Sequence, residues 1–279
     1  MNVVLKRKIE GMVAISLSTL AALFGLFWLV FILGDVLYNG ISALNLDLFL
    51  NDPAPAGVDG GGLRNAFAGQ LLITLFATLI GVPIGVLGGT FLAEYARGKG
   101  ISKVIGVLSD IMVSVPSIVI GTFVYAILVR PLGHFNGWAG SIALAIIMIP
   151  VVLRTTEDML SMVPWTLREA AFALGAPYYK VIIQVVYRGA ASGILTGIIL
   201  SIARVAGETA PLLFTSFNNA YFSVNMNQPV SSLTVTIFQY AMGPYDSWHT
   251  QAWAAAFVIT VFVLILTIAG RLIIKWRYK

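Results

Sequence analysis

Two short stretches of this 279-residue chain hold the residue types that could do chemistry. The first is S-I-A-R-V-A-G-E-T-A-P, residues 201–211, where Arg204 and Glu208 stand four apart inside an apolar run. On one continuous helix that spacing puts both on one face, about 6 Å apart along the axis. An arginine at the centre of a membrane span costs about 2.5 to 3.5 kcal/mol even on the lenient insertion scale, so the pair is expected to face a protein interior or a wet pathway. Two roles fit: electrostatic glue between helices, or a gate in which Arg204 meets an anion once Glu208 is drawn elsewhere. The second stretch is P-W-T-L-R-E-A-A-F-A-L-G-A-P, residues 164–177, with Glu169, Ala170, Ala171 and, after three intervening residues, Gly175. Its small residues make a close-packing knob, and Glu169 offers a charge to a basic groove on a partner. A helix lying passively on lipid headgroups is the plainer alternative.

Other chemistries are missing their residues. There is no cysteine, which removes disulfides, thiolate metal sites and cysteine nucleophiles. His134 and His249 are isolated in sequence, and single histidines are usually structural or solvated. No G-x4-G-K-[ST] loop is present to cradle a nucleotide phosphate. The Gly60, Gly61, Gly62 run lacks a lysine and reads as a flexible loop tip. No catalytic residue, metal or cofactor is therefore expected, and the chain is not read as an enzyme.

The elements that must position the two stretches are membrane helices. Hydrophobic residues make up 58% of the chain and charged ones 10%, against roughly a quarter charged in ordinary soluble domains. The apolar residues fall into separate long runs with no period-2 alternation, which predicts an all-α membrane protein rather than a barrel. Six spans are expected, near 11–37, 69–93, 104–130, 135–153, 189–215 and 251–274. The fourth is short, with Pro150 near its end and Arg154 as its stop. Lys6, Arg7, Lys8, Arg97, Lys99, Lys103, Arg154, Arg168, Lys180, Arg188, Arg271, Lys275, Arg277 and Lys279 all flank one set of helix ends, whereas Asp47, Asp52, Asp59 and Asp246 mark the other. Basic flanks stay cytoplasmic, so both termini are expected in the cytoplasm. The same asymmetry accounts for the +5 net charge and gives no reason to expect a nucleic-acid partner. Trp138, Trp248, Trp253 and Trp276 suit interfacial anchoring. Between spans four and five, Pro164 predicts a helix start, Leu167, Ala170, Ala171 and Leu174 share an apolar face, and Gly175 with Pro177 predicts a stop before a second short helix.

Glu169, Ala170, Ala171, then Gly175 and, after nine intervening residues, the aliphatic Val185 resemble the E-A-A-x3-G-x9-I-x-L-P loop of ABC-importer permeases, although Tyr187 and Arg188 replace the closing Leu-Pro. The run A-R-V-A-G-E-T-A-P-L-L-F-T is similar to a signature of the permeases of phosphate-specific ABC importers. Supporting fragments are P-S-I-V-I-G at 116–121, L-R-E-A-A-F-A-L-G-A-P at 167–177 and L-T-V-T-I-F-Q-Y-A at 233–241. The resemblance covers about residues 66 to 275.

The resemblance implies a type I ABC-importer permease fold of six transmembrane helices with a cytoplasmic coupling helix. Residues 1–65 would supply a first helix and an extracytoplasmic loop, and 66–275 the permease domain with a coupling loop at 155–188. It further implies a bacterial inner-membrane protein that pairs with a homologous permease subunit, sits on a dimer of ATPase subunits and receives phosphate from an extracytoplasmic binding protein. Glu169, Ala170, Ala171 and Gly175 would dock on the ATPase, and Arg204 and Glu208 would line the pathway. Another oxyanion such as sulfate or molybdate, or a scaffold or sensory role without transport, are the alternatives. A secondary transporter would call for an internal inverted repeat, and none is visible.

Overall fold

The computed structural model describes residues 3–58 and 60–277, without the side chains at 5, 6 and 273–277. Asp59, Lys279 and the side chains of Lys6, Lys275, Trp276 and Arg277, used above for orientation, lie outside the described residues. Among the described residues the regular structure is all helical, with irregular connections such as 214–232 and one isolated bridge between Pro53 and Gly61. In order, the helices are α1 (Val3–Ser42), α2 (Asp47–Leu50), α3 (Arg64–Thr90), α4 (Gly100–Ser114), α5 (Ser117–Val124), α6 (Arg130–Leu132), α7 (Gly137–Ser161), α8 (Trp165–Ala173), α9 (Tyr178–Val181), α10 (Tyr187–Ala206), α11 (Ala210–Leu213), α12 (Leu233–Ala241) and α13 (Asp246–Arg277). Three five-residue π-helical turns, Phe91–Tyr95, Tyr125–Val129 and Ile182–Val186, extend α3, join α5 to α6 and join α9 to α10.

Five helical segments are long and apolar enough to cross a bilayer unbroken: Arg7–Ser42, Arg64–Tyr95, Gly137–Ser161, Tyr178–Ala206 and Asp246–Leu272. Over the expected third span the chain is sharply bent, with Gly100–Ser114 and Ser117–Leu132 meeting at 100°. The cause is local. Pro116 lacks a backbone N–H, and the residue before a proline is driven out of the α region, so Val115 sits extended at φ −68°, ψ 130°. The fourth span is longer than expected: α7 runs through Pro150 and Arg154 to Ser161. The fifth is displaced, beginning at Tyr178 and ending at Ala206. The intervening loop therefore shrinks to residues 162–177, and the second short helix expected there is the opening of the fifth span.

The centre of the bundle is α3 against α7, with α10 packed between α7 and α13. Small residues permit the approach: a Cβ on Gly85 would fall 2.7 Å from the Val152 side chain. Ile73, Ala77, Leu144, Met148, Val152, Val205 and Leu212 form one continuous core across α3, α7, α10 and α11. Helix α1 packs against α13, but none of the residues in its most apolar window is buried within this chain. The glycine run is a packed turn rather than a flexible tip. Gly60 and Gly61 adopt left-handed φ of 94° and 74°, the Gly62 amide donates to the Asp52 carbonyl, and Gln251 donates to the Gly60 carbonyl.

Candidate functional site

Arg204 occupies the last turn of α10 and Glu208 lies beyond its end, so the single-face i, i+4 arrangement expected from sequence does not form. Pro211 explains the break. Its ring would collide with the carbonyl of residue 207 and it has no N–H to donate, so the helix closes at Gly207. The Gly207 and Glu208 amides turn back to the Arg204 and Val205 carbonyls in a tightened final turn. Two carbonyls freed at the break are taken up from other helices. Gln70 of α3 donates to the Ala206 carbonyl at 3.1 Å, and Thr234 of α12 donates to the Glu208 carbonyl at 2.9 Å. The Thr234 hydroxyl belongs to the fragment at 233–241 already noted in the sequence.

The side chains at this break are left open. Arg204 is exposed and Glu208 half-buried, and neither makes a side-chain hydrogen bond or ion pair among the described residues. The glycines upstream pack as small residues should: Gly193 lies against Met159 and Gly197 against Thr155, which draws α10 onto α7. A guanidinium with five donors, at the end of a helix whose freed carbonyls are capped from two neighbouring helices, can present a fork to a tetrahedral oxyanion.

The second stretch forms the helix expected, α8, capped at its end by Gly175 at φ 78°. The Gly175 amide donates to the Phe172 carbonyl and the Ala176 amide to the Ala171 carbonyl, a Schellman motif that only a residue tolerant of the left-handed region closes without strain. The face α8 buries is not the apolar one. Leu167 and Leu174 are exposed, Leu174 to 89%, together with Glu169 and Ala170, while Ala171 is half-buried. The side chain turned inward is Arg168.

Arg168 and Glu94 form a fully buried ion pair, each side chain 1% exposed, with Nη2 to Oε1 at 2.5 Å. All five guanidinium donors are engaged: Nε and Nη2 on the two Glu94 oxygens, Nη2 also on the Leu160 carbonyl, and Nη1 on the carbonyls of Val163 and Pro164. Leu160 lies in the last turn of α7 and Val163 just past its end, so Arg168 also caps that helix, where unpaired carbonyls make a cation favourable. Tyr178 donates to the Glu94 carbonyl at 2.8 Å, and its ring meets Tyr95 and Phe172. Sequence reasoning used Arg168 only as a topological marker and did not single out Glu94. The available signal was an acid closing an apolar run, in F-L-A-E-Y, residues 91–95.

Arg154, expected to terminate a span, is instead inside α7. It clamps α4 by a two-point contact with Asp110 at 3.0 and 2.6 Å, and also meets Glu157 and the Gly106 carbonyl. The histidines are structural: His134 bonds the Leu132 and Asn227 carbonyls, and His249 the Gly243 carbonyl.

Residues 81–277 match the family described as binding-protein-dependent transport system inner membrane component. The chain is 50% identical to the phosphate transport system permease protein PstA of Pasteurella multocida, over 98% of this chain and 97% of that one. It is 49% identical to the protein of the same name from Haemophilus influenzae, over 97% and 96%. A probable PstA of Methanocaldococcus jannaschii is 38% identical over 77% and 76%. Among solved structures, an inward-facing MetNI methionine ABC transporter aligns with TM-score 0.58 at 19% identity, covering 76% of this chain and 94% of that chain, a likeness of fold. An all-helical chain with several apolar spans, matched along nearly its whole length by such permeases, belongs to the binding-protein-dependent transport inner-membrane components, in the group of the PstA phosphate transport permeases.

Proposed function

We propose that this chain is the permease subunit of an ATP-driven importer of inorganic phosphate and forms half of the translocation pathway by alternating access. The observation that carries the reading is Arg204, a cation at the end of an apolar helix with no partner of its own among the described residues, in a chain whose relatives are named for phosphate transport. A charge of this kind in a membrane protein faces other protein or a water-filled path. A homologous permease subunit packed over this face would supply the rest of that path, with Glu208, just past the helix end, as a second charge beside it.

Energy enters from separate ATPase subunits, which the exposed side of α8, with Glu169, Ala170, Ala171 and Gly175, is shaped to meet. Phosphate would be delivered by an extracytoplasmic binding protein to the opposite end. Residues 66–275 would make up the permease body, with 1–65 adding a helix and an extracytoplasmic loop. The placement is the bacterial inner membrane with both termini cytoplasmic, as the basic flanks require.

Phosphate uptake by the assembled complex in vesicles tests the reading. Loss of one charge-assisted contact to the anion predicts that Arg204→Gln lowers uptake roughly tenfold or more at normal membrane levels. Unaltered uptake in both Arg204→Gln and Glu208→Gln would remove the gate. Competition by sulfate or molybdate at equal strength would remove the assignment to phosphate.

A further inference from the structure

We propose that Arg168, Glu94 and Tyr178 are positioning residues of a rigid joint that makes α8 move as one body with the adjoining ends of α3, α7 and the α9–α10 span, so that a push on α8 is delivered to the helix bearing Arg204. The inference rests on the transport reading for its motor, the ATPase docked on α8, but its geometry belongs to this chain alone.

Four segments meet at the joint. Glu94 and Tyr95 come from the π turn Phe91–Tyr95 closing α3, the Leu160 and Val163 carbonyls from the end of α7, Arg168 from α8 and Tyr178 from the start of α9. A guanidinium whose five donors are all engaged, two of them on the two oxygens of one carboxylate, resists both rotation and sliding. Its Cζ lies 5.4 Å from the Trp165 ring, on α8 itself. Beneath lies an apolar layer of Ala93, Leu160, Val163, Val181, Val186, Ala190 and Ile194, which continues up α10 toward Arg204.

Burial alone would hold α8 in place with leucines, yet Leu167 and Leu174 point away and the charged pair is sealed in. A hydrophobic contact tolerates slip. A saturated bidentate pair has one register, which is what transmission of a displacement needs and what attachment does not.

The test uses the full complex in proteoliposomes, reading phosphate uptake and ATP hydrolysis together. Tyr178→Phe removes one hydroxyl and Glu94→Gln one charge; Arg168→Lys keeps the charge but gives up the fork. The joint predicts that Tyr178→Phe and Glu94→Gln complexes assemble and hydrolyse ATP, while phosphate moved per ATP falls about fivefold or more, the scale of a typical coupling energy. A second readout does not depend on the substrate. Because the chain has no cysteine, spin labels at Thr166→Cys on α8 and Arg97→Cys beyond α3 report one internal distance. That distance should be the same in nucleotide-free, ATP-bound and vanadate-trapped complexes, and should broaden in the Tyr178→Phe background.

A parent distance that changes between nucleotide states, or an unchanged uptake per ATP in both variants, overturns the joint. A parent complex that hydrolyses ATP and takes up no phosphate would overturn the transport reading instead, and the label distance would then decide the joint without reference to transport.

Discussion

Arg168 and Arg204 are the same residue type on neighbouring helical segments, and their surroundings are opposite. Arg168 is sealed, with every donor met inside its own chain. Arg204 is open, the carbonyls of Ala206 and Glu208 beyond it held by Gln70 and Thr234 but its guanidinium without a partner among the described residues. The difference teaches that who satisfies a charge says more about its role than its depth in an apolar run. A cation satisfied from within holds the molecule together. One left open is addressed to something outside it.

The largest expected effect separates the two by stability. Arg168→Met leaves Glu94 buried without its partner and should destabilise the protein by about 3 to 5 kcal/mol, whereas Arg204→Met should change it by no more than about 0.5 kcal/mol. Thermal unfolding of the purified complex in detergent measures both, and equal shifts would erase the contrast. Lysine at each position sharpens it. At 168 the compact ammonium cannot replace five donors in a plane, so unfolding temperature should fall; at 204 the fold is untouched and the change should appear in the apparent KM for phosphate.

Smaller effects come from the caps at the break. Gln70→Leu and Thr234→Val each strip a donor from a freed carbonyl and should cost about 1 to 3 kcal/mol. Uptake should fall with them, and Thr234→Ser, which keeps the hydroxyl, should restore it. If Thr234→Val transports normally, the break does not depend on its cap and Arg204 is positioned some other way. The smallest effect is expected at Gly175→Ala, where a Cβ in the left-handed region costs about 1 kcal/mol, read as a slight loss of thermal stability.

The spans were legible because they depend on local quantities. Length and apolarity alone locate the helices that begin near residues 7, 64, 137 and 246 to within several residues, while the fifth begins at Tyr178, well before the expected 189. The 100° bend was legible in principle from Val115 preceding Pro116, but a hydropathy window averages over it. Arg204 stood out because a lone cation in an apolar run is a local anomaly. That Glu208 lies past the helix end follows from Pro211, four residues after Gly207, a stronger constraint on the backbone than i, i+4 spacing, which presumes an unbroken helix.

The Arg168 pair was not legible. Glu94 and Arg168 are 74 residues apart, and no local pattern carries a contact of that range. The assumption that an amphipathic helix buries its apolar side also failed on α8, where Leu167 and Leu174 remain outside. The amphipathic rule counts only what a helix finds in its own chain.

The π turn Ile182–Val186 has a practical reach beyond its own five residues. It inserts an extra residue into the winding of the Tyr178–Ala206 segment, so residues before it are rotated by about 100° relative to a straight wheel drawn back from Arg204. A cysteine scan of that segment analysed with one unbroken period would assign Tyr178 and Lys180 to the wrong sides. Two phase origins, one on each flank of the turn, would put accessibility data and helix faces back in step.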